Sequence, residues 1–247
     1  MERRVSIEFE PIRMEPAYRK VAAALLARIT DRSLEAGERL ASETELARQF
    51  GVNRSTVREA LRELESHGLV QRARGSRRMM ITIPEHEVTA GGISRALTLH
   101  GVTALHVWEG LSVLEPPIAE AAARRRTAED LNALTQSAAR FLAASANTAA
   151  TVHAAAEFIR SLGAAAHNPV LSLAQAPLLQ LLEPSLGLMI DRVPQARIRI
   201  ATAHRNLIEA VRTRDAVAAS TWMVRHVRDF RRGYEIAGIS LDRAIEG

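Results

Sequence analysis

The sequence predicts a mostly α-helical chain, with an N-terminal winged helix-turn-helix followed by an all-α helical bundle. Three observations lead there. Aromatic residues make up only 4% of the 247 positions while alanine fills 43 of them, a balance that favours closely packed helices over a β-rich fold. The only strand-like runs lie between residues 69 and 83, and the rest of the apolar pattern has helical spacing. The excess positive charge is also uneven: residues 1–84 hold 16 Lys and Arg against 12 Asp and Glu, and residues 85–247 hold 17 against 16. Hydrophobic residues at 47% and charged residues at 25% exclude wholesale disorder. Without cysteine there is no disulfide framework, thiolate metal site or cysteine nucleophile. Lys20 is the only lysine among 33 basic residues, so 32 are arginine. Such an excess follows from GC-rich coding as readily as from phosphate binding, and only position separates the two.

The elements follow in order. A first helix from about Pro16 to Asp31 carries Val21, Leu25, Leu26 and Ile29 on one stripe, and Gly37 lies in the turn beyond it. Ser42-Glu43-Thr44-Glu45 reads as a capping box, with Ser42 capping a short second helix and Glu45 reaching back to the Ser42 amide. Gly51 ends that helix and Asn53 caps a third, which runs from Arg54 to about His67 and stops at Gly68. Strands are expected at 69–72 and 79–83, joined by the basic, glycine-containing loop 73–78. Pro84 to Gly92 has a proline, two glycines and no apolar periodicity. The domain expectation is therefore 1–83 for the winged helix, 84–93 for a linker and 94–247 for the helical domain.

Beyond the linker, helices are expected near 93–100, 103–126, 128–145, 148–166, 169–192, 195–213 and 215–237. Breaks fall at Gly101, Thr127, Asn147, Asn168-Pro169, Pro194 and Asp215, and Pro116-Pro117 should kink or divide the second of these helices. The first ten residues are not an apolar leader, and no stretch approaches the ~20 apolar residues of a membrane span. A cytoplasmic protein without membrane contact is the expectation.

Two helices joined by a tight glycine turn and followed by a basic hairpin suit a DNA duplex. The second helix of such a pair fits a major groove about 12 Å wide. Val57, Ala60, Leu61 and Leu64 form its inward stripe, and Arg54 and Arg58 lie four apart on one face beside it, with Ser55 and Thr56 at the helix start. Arginine pairs bidentately with guanine O6 and N7, and hydroxyls at a helix N-terminus suit phosphate. Arg72, Arg74, Arg77 and Arg78 on the wing would track the backbone or enter a minor groove. The bland alternative is a solvated arginine face on a small helical domain.

The run from Glu38 to Ala47, the run from Phe50 to Glu65 and the following Gly68-Leu69-Val70 together resemble the GntR family signature across residues 17–83. The resemblance implies base contacts at Arg54 and Arg58 and a minor-groove contact at the wing glycine, Gly75. It differs in two places: Ala41 stands where the family has a proline, and Thr44 where it often has an arginine. The candidate DNA contacts are thus Ser42, Thr44, Asn53, Arg54, Ser55, Thr56, Arg58, Arg72, Arg74, Gly75, Arg77 and Arg78. The partner implied is double-stranded DNA, read as a pseudo-palindromic operator by a homodimer.

Residues 95–235 resemble, more patchily, the all-helical FCD-type effector domain of the FadR-like subfamily. The carrying segments are Val107 to Pro116, Phe158 to Leu171, and Ala203-His204-Arg205 with Asp215 and His226. Most members hold a divalent metal with one aspartate and three histidines. The aspartate and first histidine positions are Ala155 and Ile159 here, while the other two match His204 and His226. Two imidazoles fall short of the three or four protein ligands of a stable site. The family metal is therefore expected to be lost and no cofactor is expected. An arginine that often meets a carboxylate effector is Leu111 here. A pocket bounded by Leu111, Ala155, Ile159, His204 and His226 would favour an apolar or acyl-type small molecule over a small carboxylate. The expected function is a ligand-responsive transcriptional regulator, read as a repressor. The alternatives are an architectural DNA-binding protein without an effector, or a metal-dependent helical enzyme. No nucleophile elbow, phosphate-binding glycine loop or His-Glu-x-x-His run supports an enzyme.

Overall fold

The computed structural model describes residues 15–73, 75, 78–84, 86–144 and 147–245. Residues 1–14, read above as carrying no apolar leader, lie outside this range. The chain divides into two compact units, Met1–Glu85 and His86–Gly247.

In the first unit α1 (Ala17–Thr30), α2 (Glu43–Phe50) and α3 (Arg54–Ser66) precede an antiparallel pair, β1 (Val70–Arg72) and β2 (Met79–Ile81). The strand register pairs Val70 with Ile81, Gln71 with Met80 and Arg72 with Met79. An isolated bridge adds Arg39 to the β2 edge at Met80. The core joins Val21 and Leu25 of α1, Leu46 of α2, the stripe Val57, Ala60, Leu61 and Leu64 of α3, and Val70 and Ile81 of the strands. Leu26, expected on the α1 stripe, is 42% exposed, because the buried face is centred on Val21, Ala22 and Leu25. Gly51 ends α2 at φ 65°, the left-handed conformation that turns the chain sharply into α3.

The second unit holds α4 (His86–Leu99), α5 (Ala104–Arg125), α6 (Ala128–Ala143), α7 (Thr148–Ala165), α8 (Pro169–Arg192), α9 (Gln195–Arg212) and α10 (Ala216–Ala237). The expected breaks act as caps. Thr127, Asn147, Asn168 and Asp215 each accept backbone N–H bonds through their side chains at the starts of α6, α7, α8 and α10. Helix α5 packs mainly on α10, α6 on α7, α7 on α8 and α4 on α8.

Three expectations need correction. Most of the segment read as a linker, 84–93, is helical, because α4 begins at His86. Packing on α8 outweighs the low helix propensity of Gly91 and Gly92: Ala90 is buried, and Ser94 Oγ donates to Pro177 O at 3.1 Å and lies 3.0 Å from Gln180 Oε1. Pro116-Pro117 do not divide α5. The buried positions Ala104, Val107, Leu111, Glu115, Ile118 and Ala122 keep helical phase through the prolines, and that continuous face offsets the lost backbone bonds. Finally, α8 is 24 residues long with an 18-residue window of mean hydropathy 1.2, so by length and composition one stretch does reach a membrane span. It serves as a core helix here, with Leu179, Leu182, Leu186 and Met189 buried in the bundle.

Candidate functional site

Two sites emerge, one in each unit. The first surrounds the N-terminal turn of α3. Burial of Val57, Ala60, Leu61 and Leu64 leaves Arg54, Ser55 and Arg58 exposed on the opposite side of that helix. Glu43, the first residue of α2, lies against them. Its Oε2 accepts from Arg58 Nη2 at 2.9 Å and from Nε at 3.2 Å. The Arg58 bond holds the Glu43 carboxyl below the usual range, and Arg54 and Arg72 add to the effect. Arg58 is thus bonded to Glu43, and Arg54 and Arg72 act on the same carboxylate at longer range, leaving a net positive surface.

The capping expectations are met only in part. Ser42 Oγ accepts from Glu45 N at 3.2 Å, but Glu45 does not reach back. Its carboxylate takes Arg48 at 2.7 Å and Gln49 at 2.7 Å, nearer partners along the same helix. Asn53 occupies the N-cap of α3 with extended backbone and no side-chain cap bond, so its amide stays exposed beside Arg54. Thr44 is exposed and Thr56 half-buried in the first turns of α2 and α3. On the wing, Arg72 and Arg78 are exposed, and Gly75 has φ 70° with nothing within 4 Å of where a Cβ would stand. Backbone conformation rather than crowding requires glycine there. Arg74 and Arg77 lie outside the described residues. The Glu43–Arg58 pair is not among the sequence expectations, because it joins residues 15 apart on different helices.

The second site is a cavity of about 70 Å³ inside the helical bundle. Leu111 and Glu115 of α5, Ala155 and Ile159 of α7, Leu179 and Leu182 of α8, Ile200 of α9 and His226 and Phe230 of α10 line it, with Glu183 at its polar edge. Four of the five expected pocket residues, Leu111, Ala155, Ile159 and His226, are thus brought together. His204 is not among them. It is buried beneath a depression between α6 and α9 that Phe141, Leu142 and Ile198 also border. Its ring stacks on Phe158 at 3.7 Å between centroids and meets Phe141 and His226 edge-on at 5.1 and 5.9 Å. His204 lies one turn beyond Ile200 on the same face of α9, and its contacts with Phe158 and His226 place it behind the cavity wall rather than in it.

Both histidines are held neutral. Burial pulls His204 well below its ordinary value, and the neighbouring His226 adds to this. His226, whose remaining exposure is toward the cavities it lines, is lowered to about 4 by desolvation, against an opposing pull from Asp229. Glu115, absent from the expected set, is 2% exposed and pushed up to about 8 by burial, which Gln175 only partly offsets. Neither His204 nitrogen finds a protein partner. A metal does not follow, because among the described residues no three His, Asp or Glu side chains converge and the two positions that would complete the set are the aliphatic Ala155 and Ile159. The residues present do not fit the family ion.

A two-helix reading head with a glycine-tipped hairpin, followed by a helical bundle enclosing a cavity, defines a DNA-binding regulator with an effector domain. Residues 17–78 match the family of bacterial regulatory proteins called gntR, and residues 107–229 match the FCD domain. The chain belongs to the GntR family, in its FadR-like branch with an FCD domain, a family of regulators and not of enzymes. Among its relatives is the HTH-type transcriptional regulator GgaR of Escherichia coli (strain K12), 33% identical over 103 residues. That alignment takes in 41% of this chain and 42% of the relative, so it spans about two fifths of each. The HTH-type transcriptional repressor NanR of Escherichia coli (strain K12 / DH10B) is 26% identical over 225 residues, covering 87% of this chain and 85% of NanR. The solved structure of Streptococcus agalactiae GntR superposes with a TM-score of 0.64 at 27% identity, over 87% of this chain and 99% of that one.

Proposed function

We propose that this chain is a ligand-responsive, DNA-binding transcriptional regulator that works as a homodimer on a pseudo-palindromic operator in the cytoplasm. The observation that carries the reading is the gathering of Arg54, Arg58 and Arg72 on the exposed face of α3 and the wing, in a chain whose second unit encloses a cavity. Arg54 and Arg58 read base edges, Ser42, Thr44, Asn53, Ser55 and Thr56 position phosphates, and Arg72, Arg74, Gly75, Arg77 and Arg78 form the wing contact. NanR is named a repressor, and repression is the mode assigned here. Effector binding shifts the population between forms that do and do not fit the operator spacing.

The FCD domain takes a small molecule in the α5–α10 cavity without a metal. The apolar lining of Leu111, Ala155 and Ile159 supports an apolar ligand over a small carboxylate.

Fluorescence anisotropy with DNA from the intergenic region upstream of the gene, with and without metabolite fractions, tests this. Saturable binding that a fraction releases is the expected result. Binding that no fraction changes, without thermal stabilisation by any of them, would point to an architectural protein. No binding to that DNA beyond the level seen with random duplex would refute the regulator reading.

A further inference from the structure

We infer that Glu115 is the polar anchor of the effector cavity, selecting a small neutral ligand that is apolar apart from a hydrogen-bond-accepting oxygen, as in a ketone, lactone or ester. The inference rests on the effector reading above and narrows it.

The argument begins with hydrogen-bond supply. Both Glu115 oxygens lie 3.0 Å from one atom, Gln175 Nε2, which is a donor. Burial keeps the carboxyl protonated at neutral pH, so it carries an O–H that Nε2 cannot accept. The other end of the amide is turned elsewhere: Gln175 Oε1 packs so tightly over Gly163 of α7 that a Cβ there would overlap it. Glu115 lines the cavity, and we assign its unmatched proton to that side, since a buried donor left unmet is costly.

The walls exclude other ligand chemistries. From α7 the lining side chains are Ala155, Ala156 and Ile159, from α9 Ile200, and from α10 Met223, His226, Val227 and Phe230. From α8 Glu183 is the charged member, and it is held by Arg160 at 2.9 Å. No arginine or lysine is among the described lining residues, so a carboxylate ligand would meet another acid without a countercharge. An ammonium brings three donors, but of the two lining carboxyl groups Glu183 is already held by Arg160 and Glu115 is kept neutral by burial. A hydrocarbon leaves the Glu115 O–H unpaired. An acceptor oxygen answers it.

The test uses the full chain and size-matched probes: cyclopentanone and γ-butyrolactone against methylcyclopentane, cyclopentylamine and butyrate, with dissociation constants from ligand-observed NMR. Near neutral pH the two carbonyl compounds are expected to bind about tenfold more tightly than methylcyclopentane, the worth of one well-made hydrogen bond. Well above the Glu115 pKa of about 8, wild type should lose that preference. Glu115→Gln keeps a donor but cannot ionise, so it should retain the preference at high pH, and Glu115→Leu should lack it at any pH. Methylcyclopentane binding as tightly as cyclopentanone overturns the anchor role while leaving an effector cavity in place. Butyrate or cyclopentylamine binding best, or Glu115→Gln following the wild-type pH profile, also overturns it. If no probe binds, the anchor falls together with the effector reading.

Discussion

Replacing Glu115 by glutamine should change how stability depends on pH, independently of any ligand. The carboxyl ionises at 4.5 in an ordinary setting and at about 8 in the folded chain, where it is enclosed between α5, α7 and α8 with Gln175 as its hydrogen-bond partner. Between those values the folded protein holds one more proton than the unfolded chain, so stability falls as pH rises. Glu115's contribution is fully present below 4.5, declines by about 1.4 kcal/mol per pH unit, and is lost once pH passes the folded value. Across the whole window the change approaches 5 kcal/mol, and between about pH 5.5 and about pH 7.5 it is about 3 kcal/mol. The buried neutral histidines work the other way, because their folded values are depressed and their contribution is lost as pH falls. They are present in both proteins and cancel in the comparison. Urea unfolding at several pH values, followed by circular dichroism, gives the difference directly. Glu115→Gln should gain on wild type by about 3 kcal/mol over those two pH units. Parallel curves would mean that Glu115 is ionised in the folded chain at neutral pH, and the picture of an acid donating into the cavity would fail.

Arg54→Ala and Arg58→Ala should each cost about 1–3 kcal/mol in operator affinity and relax specificity at one base pair per half-site, as read by anisotropy on single-base operator variants. Unchanged affinity in both would reject the docking of α3 in the major groove. Glu43→Gln removes the charge that holds Arg58 at 2.9 Å, so affinity for random duplex should rise and the ratio of specific to non-specific binding should fall. A ratio that stays constant would show that Arg58 is not steered by Glu43. His204→Phe removes two buried nitrogens without partners from a cage of Phe141 and Phe158, so thermal unfolding should be unchanged or shifted upward. Tight stoichiometric zinc binding by wild type that this variant abolishes would overturn the loss of the metal.

What the sequence revealed depended on how local each signal was. Caps, glycine turns and a four-residue arginine spacing lie within one or two helical turns, so α2, α3 and the exposed position of Arg54 and Arg58 could be read from the chain alone. The Glu43–Arg58 pair joins residues 15 apart on different helices, and no spacing rule finds it. The same limit explains α4: Gly91 and Gly92 break the local pattern, but α8 supplies a surface that a linear reading cannot see. In the effector cavity, Leu111, Ala155, Ile159 and His226 were found through correspondence with a metal site that their own chemistry no longer supports. His204, one turn from Ile200 on the same face of α9, packs against Phe158 and His226 and is not itself a lining residue of the cavity. Glu115 is not among the pocket residues that the family correspondence supplies. Yet an acid placed between Leu111 and Ile118 on an apolar helical stripe was a visible anomaly, and a carboxyl on a buried face must be neutral, paired or functional. Gln175, 60 residues away on α8, offers it a donor and no countercharge, and that combination makes Glu115 a donor into the cavity rather than half of an ion pair.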